Sequence, residues 1–412
     1  MVSKPHVIYP SRPESYAASP VPSLSDWAGL WRAWDTVTRQ MIPEEELLAK
    51  PIKLRNACIF YLGHIPTFLD IHLTRATGES PTEPKHYPQI FERGIDPDVD
   101  NPELCHSHSE IPDTWPPIEE ILEFQKRVRD RVHSLYESGT AQSDRKVGRA
   151  LWIGYEHEIM HLETLLYMLV QSEKTLPPTG TIIPDFQMMS YKTGRGSSTR
   201  KRYTIPEADI SIGMDDPEND ESPDRYFGWD NEKPKRTVHV HSFTADARPI
   251  TNGEYAQYLQ STGRRQLPAS WLEEADSQPT HASNGTNDEA HSNTNGHTNG
   301  HANGDNHNEA NDATNMTEVL ARNSNGELVP GLLDKPNIEG KSVKTVYGKV
   351  PLQYALDWPV FASYDEIAGC AKWMGGRIPT MEEVHSIYAY AEHMKTKDVE
   401  KAIGKIIPAV NG

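Results

Sequence analysis

The apolar periodicity of this chain changes at Pro177-Pro178, and that change sets what it can fold into. Before it, apolar residues recur at helical spacing in four segments. "SLSDWAGLWRAWDTVTRQMI" carries Trp27, Leu30, Trp31 and Trp34 on one side, with Ser23 or Ser25 as a cap. "IKLRNACIFYLGHIPTFLDIHLTRATG" is apolar throughout and should end near Gly78, with a kink or break at Pro66. "IEEILEFQKRVRDRVHSLYES" aligns Ile118, Ile121, Leu122, Val128, Val132 and Leu135, and stops at Gly139. "LWIGYEHEIMHLETLLYMLV" is the fourth, reaching back to about Asp144. Four such helices predict a four-helix bundle over residues 21–178, after a loose tail at 1–20.

Past the two prolines, "KRYTIPEADISIGM" and "KRTVHVHSFTADARPI" alternate as strands do. "TNGEYAQYLQSTG" is a helix capped by Thr251 and closed by Gly263. From about 276 to 320 the composition collapses into Asn, Gly, His, Thr, Ser and Asp. Such a run buries too little apolar area to offset its ordering entropy, so a disordered insert that tolerates deletion is expected. Two further helices, Asp365 to Trp373 and Thr380 to Glu392, flank "GGRIPT", which reads as a turn seating the second of them. The fold class expected is α+β: a helical bundle, then a mixed domain over 200–412.

A net charge of −18 repels phosphate backbones and excludes nucleic acid as a natural partner. No window approaches 18 continuous apolar residues, and the polar N-terminus has no secretory core, so neither a membrane span nor export is expected. Cys58, Cys105 and Cys370 are too few and scattered for a disulfide framework, which points to a cytoplasmic chain with reduced thiols.

The fourth helix holds His157, Glu158, His161 and Glu163. These read either as H-E-x-x-H, a zinc protease motif, or as H-x-x-x-H-x-E. With 18 histidines, about one i,i+4 pair arises by chance, and His297/His301 in the insert is such a pair. His157 and His161 differ because Leu165 and Met168 continue their side toward the bundle interior. Two buried imidazoles need partners, which a metal or neighbouring carboxylates can supply. His64, sharing a side with Tyr61, Phe68 and Ile71, is the candidate third ligand, and His72 competes with it. Three imidazoles suit Zn, Fe(II) or Cu and leave positions open for chemistry. The protease reading needs Glu158 as a base at an open zinc face and a downstream ligand such as Glu173, and no extended motif supports it.

"GHIPTFLD" followed by "GYEHEIMHLET" resembles the DinB-like iron-binding domain of ergothioneine-biosynthesis sulfoxide synthases. "IPEADISIGMDD", "RPITNGEYAQYLQSTG" and "PVFASYDEIAGCAKWMGGRIPTMEEV" resemble a C-type-lectin-like domain of the formylglycine-generating-enzyme (sulfatase-modifying-factor) type, and the two occur in this order in that family. "FERGIDPDVDNPELCHSHSEIPDTWPP" resembles the fungal branch, where the pair follows a histidine methyltransferase. The likeness covers about 20–275 and 345–395. It implies a non-haem Fe(II) centre on His64, His157 and His161, with Glu163 orienting a ligand ring. It implies O2-dependent joining of cysteine or γ-glutamylcysteine to the imidazole of hercynine (trimethylhistidine) as a sulfoxide.

Arg93 is the candidate for the thiol substrate's carboxylate. Met160 stands where some bacterial members carry a substrate-contacting Gln, which implies a differently built imidazole pocket. The family's proton donor is expected beyond Gly412, so the second domain is read as incomplete and the catalytic acid lies outside this sequence. A non-catalytic metal- or partner-binding remnant is the alternative from another class. "CHSH" at Cys105 to His108 lacks the spacing of a closed zinc site and reads as loop. Cys370, set among Ile367, Ala371 and Trp373, reads as a packed thiol, which does not support formylglycine-generating chemistry.

Overall fold

The computed structural model describes residues 8–9, 19–52, 55–92, 95–97, 105–107, 112–192, 201–217, 226–273, 320–322, 328–330 and 337–401. Its first part is the expected bundle. Helix α1 (Leu24–Thr36) starts at Ser23, whose side chain and that of Asp26 form a reciprocal capping box, and it runs on into a π-helical turn, Val37–Met41. Helix α2 (Cys58–Thr77) ends at Gly78, where φ is 70°, a conformation that glycine adopts without strain. Then come a short α3 (Tyr87–Phe91), α4 (Ile118–Glu137), a single turn α5 (Thr140–Ser143) and the long α6 (Arg145–Leu169). The Asp144 carboxylate accepts from the N–H groups of Lys146 and Val147 and so starts α6.

The bundle core is aromatic and aliphatic. Trp27, Trp34, Tyr87, Phe91, Phe124, Leu73, Ile121, Leu151, Leu165 and Met168 are all fully buried. Each large apolar side chain contributes about 1.5–3 kcal/mol by leaving water.

Three expectations need correcting. Pro66 does not break its helix: α2 is continuous from Cys58 to Thr77. Ile65 and Thr67 on either side are buried, so tertiary packing outweighs the hydrogen bond that proline cannot donate. The presumed loop after α2 contains α3 and a two-stranded hairpin, β2 (Ile95–Pro97) with β3 (Cys105–Ser107). The presumed tail supplies β1 (Ile8–Tyr9), paired in parallel with a strand of the second domain.

After a short α7 (Phe186–Lys192) the second domain begins with β4 (Arg202–Ile205), β5 (Ala208–Ile212), β6 (Arg236–Val240) and β7 (Phe243–Asp246). Sheet order is β1-β5-β6 in one sheet, with β4 and β7 forming a separate antiparallel pair. Helix α8 (Asn252–Thr262) has the Thr251 cap, boxed with Glu254, and the Gly263 stop. Next are β8 (Trp271–Glu273), the hairpin β9 (Leu320–Arg322) and β10 (Leu328–Pro330), and β11 (Lys341–Thr345) with β12 (Gly348–Pro351). Strand order β12-β11-β8 makes a third antiparallel sheet. Helices α9 (Tyr364–Trp373) and α10 (Met381–Lys401) complete it, the latter longer than its apolar pattern suggested. The insert lies outside the described residues, apart from Leu320 at the end of its expected span. No described helix is long and apolar enough to cross a membrane.

The two domains meet at a buried carboxylate. Both oxygens of Asp216, whose side chain is 0% exposed, are engaged: Oδ1 accepts at 2.8 Å from Arg145 and from Arg149, and Oδ2 accepts at 3.2 Å from the Gly228 N–H. The Arg145 guanidinium also lies 4.4 Å from the centroid of the Phe227 ring. Both arginines sit in the first turns of α6.

Candidate metal centre

Helices α2 and α6 approach closely because glycine occupies their contact. A Cβ on Gly154 would lie 2.4 Å from Leu69 Cδ1 of α2. Three residues on from Gly154 comes His157, and His161 follows a turn later. Across the contact stands His64, held by α3. Its Nδ1 lies 2.7 Å from the Phe91 carbonyl, to which it donates, leaving Nε2 to act as a ligand. Gly63 makes that seat possible, since a Cβ there would fall 2.4–2.6 Å from three atoms of the Phe91 ring.

The three imidazoles converge. Ring centroids are 5.0 Å apart for His64–His157, 4.9 Å for His64–His161 and 4.5 Å for His157–His161. One nitrogen from each lies within 4.8 Å of the others. Aromatic walls fix the rings: Phe68 stacks on His157 at 3.7 Å, and Phe60 on His64 at 5.0 Å. Tyr61 lies 5.7 Å from His161.

Burial decides the charge state. Desolvation lowers the pKa of all three rings, against which the Phe91 hydrogen bond pulls His64 partly back. His157 falls well below the ordinary histidine range and His161 falls to about 3, each pushed further by its neighbouring histidines. The rings are therefore neutral at physiological pH, as metal ligands must be. Among the described residues, the buried Nδ1 atoms of His157 and His161 have no hydrogen-bond partner. Orphaned buried nitrogens are costly, and a cation held between the rings would take up the lone pair that each neutral imidazole offers. The residues present thus fit a metal, and this three-histidine group could hold one.

His72 is resolved as a neighbour rather than a ligand: it packs 4.5 Å from Phe68, outside the three-histidine group. Glu163 is exposed, and among the described residues no hydrogen bond joins it to the His64, His157 or His161 ring. The expectation that it orients one is therefore not met, and the backbone carbonyl of Phe91 does that work for His64 instead. Met160 is 43% exposed on α6, beside the centre rather than in it. Arg93 and His108 lie outside the described residues, and of Cys105 and His106 only the strand is described.

Glu158 is fully buried, and burial raises its carboxyl to about 8, opposed by Arg129 and reinforced by Asp35. Those groups belong to α4 and α1, so this side chain points away from the imidazoles into the bundle and cannot serve as a base on an open metal face. Glu173 pairs with Lys349 at 3.4 Å, across the domain boundary. Both facts remove the protease reading.

Sequence reasoning missed Phe91, Gly63 and Gly154. The available signal was the pair of helix-interior glycines, one immediately before His64 and one a turn before His157, because glycine inside a helix is costly unless something approaches closely. It also missed Arg55, which donates to the Tyr167 hydroxyl at 3.2 Å and whose charge helps to depress His161.

Residues 26–165 match the DinB superfamily and residues 187–391 match the sulfatase-modifying factor enzyme 1-like domain. The Ergothioneine biosynthesis protein 1 of Neurospora crassa is 53% identical over 415 residues, which is 100% of this chain and 43% of that protein. The protein of the same name from Schizosaccharomyces pombe is 29% identical over 394 residues, 90% of this chain and 42% of that protein. The chain thus spans less than half the length of these curated relatives. Carrying both domains in this order on an α+β frame, it belongs to the same family as these two fungal ergothioneine biosynthesis proteins.

Proposed function

We propose that this chain carries the iron centre of an ergothioneine-biosynthesis sulfoxide synthase, joining hercynine to cysteine or γ-glutamylcysteine with O2. The carrying observation is the buried three-histidine group within a chain that is 53% identical, along its whole length, to Neurospora Ergothioneine biosynthesis protein 1. Bound Fe(II) would supply the O2 chemistry and would lower the pKa of a coordinating thiol.

The chain's own residues do the rest. His64, His157 and His161 would hold the ion as neutral donors, so that its charge stays uncompensated and favours an anionic ligand such as a thiolate. Phe60 and Phe68 hold the rings in place and exclude water from that side. Arg55, whose charge acts on His161, and Tyr167, bonded to it, offer donors to a substrate carboxylate, a task open to Arg93 as well. A histidine methyltransferase, as a domain or a separate protein, would supply hercynine. The compartment proposed is the cytoplasm, where thiols stay reduced.

The test is metal content and turnover on one anaerobic preparation. The chain is reconstituted with Fe(II), its bound iron counted, then hercynine, cysteine and air are added and the carbon–sulfur adduct sought by mass spectrometry. One iron lost in His161→Ala, with adduct from the parent, supports the proposal. Iron without adduct from this chain, and also without adduct from the full-length relative carrying the same centre, would refute the chemistry. Equal iron in parent, His64→Ala and His161→Ala would refute the ligand set.

A further inference from the structure

The second domain carries its own array of metal-binding side chains, far from the bundle in sequence and on different elements. On β5 and β6, residues 208, 210, 212, 238 and 240 point inward, where Ala208, Ile210, Ile212 and Val240 form a small core against Ala389 of α10. Strand alternation therefore turns the odd-numbered residues outward. The register pairs Asp209 with His239, and one step further places Glu207 opposite His241. Four side chains, two imidazoles and two carboxylates, thus share one outward face.

Their geometry is more than proximity. Nitrogens of His239 and His241 and an oxygen of Glu207 lie within 4.8 Å of one another. The two rings stand 4.8 Å apart, centroid to centroid. His239 Nδ1 is 2.7 Å from Asp209 Oδ1, while its Nε2 faces Glu207 Oε1 at 2.9 Å. The Asp209 carboxylate holds a proton on Nδ1, so that loss of the proton shared with Glu207 would bare the Nε2 lone pair, the outer arrangement typical of metal-bound histidines. Asp209 is also the more enclosed carboxylate, 21% exposed against 56% for Glu207. Two neutral imidazoles and two carboxylates together balance a doubly charged ion.

We propose that Glu207, His239 and His241 form a second divalent-cation site, with Asp209 positioning His239. Two histidines and one carboxylate are a donor set that Zn2+ accepts, with its fourth position left to water. Cu2+ would compete for the same imidazoles. The ion would replace the proton that His239 shares with Glu207, and would tie β5 to β6 at the end of their ladder. The inference is independent of the function proposed for the bundle.

The probe is Zn2+, titrated against a chromophoric chelator on the full chain. Parent, His241→Ala, His239→Gln, Asp209→Asn and an exposed control, His86→Ala, are compared. His64, His157, His161 and the insert histidines are present in every protein, so their contribution cancels in the differences. The expected result is loss of one zinc equivalent, or its weakening by at least tenfold, in His241→Ala and His239→Gln. Asp209→Asn should keep the equivalent but weaken it about tenfold to hundredfold. Thermal melting without zinc should be the same for His241→Ala as for the parent, and zinc should raise the parent's Tm more than that variant's. Equal uptake and affinity in parent and His241→Ala would overturn the proposal. So would an equal loss in the His86 control, which would mean adventitious zinc only.

Discussion

Replacing Gly63 by Ala tests whether the seat of His64 is rigid. In an ordinary helix interior this change stabilises by about 1 kcal/mol, because glycine pays the larger entropy on folding. Here the new Cβ would meet three atoms of the Phe91 ring at 2.4–2.6 Å. That ring is fully buried, with Tyr87 5.1 Å, Trp115 5.8 Å and Phe60 6.2 Å away, so it has no open direction to move in. Overpacking of this kind costs about 1–3 kcal/mol. Displacing α3 also breaks the hydrogen bond from His64 to the Phe91 carbonyl, worth about 1 kcal/mol. The net expectation is destabilisation by about 1–3 kcal/mol in urea unfolding of the metal-free chain. Metal competition should show affinity reduced about tenfold or more, since an orienting partner is lost. Phe91→Leu in the Gly63→Ala background should recover part of both, and the double-mutant cycle should give a coupling energy beyond error. A Gly63→Ala variant that is more stable than the parent and binds metal as tightly would refute the reasoning.

The comparison substitution is Gly154→Ala. Its nearest contact is Leu69 Cδ1, a side-chain end that can rotate where the Phe91 ring cannot, so the loss in unfolding free energy should be smaller than at Gly63. Asp216→Ala removes the carboxylate shared by two arginines at the domain boundary and should cost about 3–5 kcal/mol in denaturant unfolding; a loss below about 1 kcal/mol would mean that other partners or water replace the carboxylate. Glu383 accepts both guanidinium N–H groups of Arg377 at 2.6 and 2.7 Å and also caps Thr380, and these bonds hold its pKa below the ordinary 4.5. A lowered carboxyl pKa contributes stability that is full above the ordinary value and fades as pH falls through the folded one. Glu383→Gln should therefore flatten the acid side of the stability–pH profile while the neutral side drops slightly, read by thermal melting from pH 7 to pH 3.

The bundle and its caps were legible because local chemistry specifies them. Ser23, Asp144, Thr251, Gly78 and Gly263 sit where side-chain acceptors or a left-handed backbone are required, and the structure uses each that way. The "GGRIPT" turn does seat α10, through the bond pair between Arg377 and Glu383. The three histidines were legible because helical spacing put two of them inside an apolar face. No break falls at Pro66 because packing from outside the helix overrides the local rule. Strands β1, β2 and β3 were invisible because two or three residues carry no periodicity, and their pairing is set by distant partners. Glu163 was not legible because one position along a helix turns a side chain by about 100°, and a motif written as letters carries no direction.

The contact of Asp216 with Arg145 and Arg149 gives the two domains a shared origin. Helix α6 begins at that clamp and carries His157 and His161 near its middle, so it works as a ruler reaching from the boundary into the three-histidine group. Chimaeras between relatives would follow from this. A bundle moved onto a foreign second domain would keep its three imidazoles, but their alignment to the neighbouring domain would survive only where the aspartate and both arginines travel together.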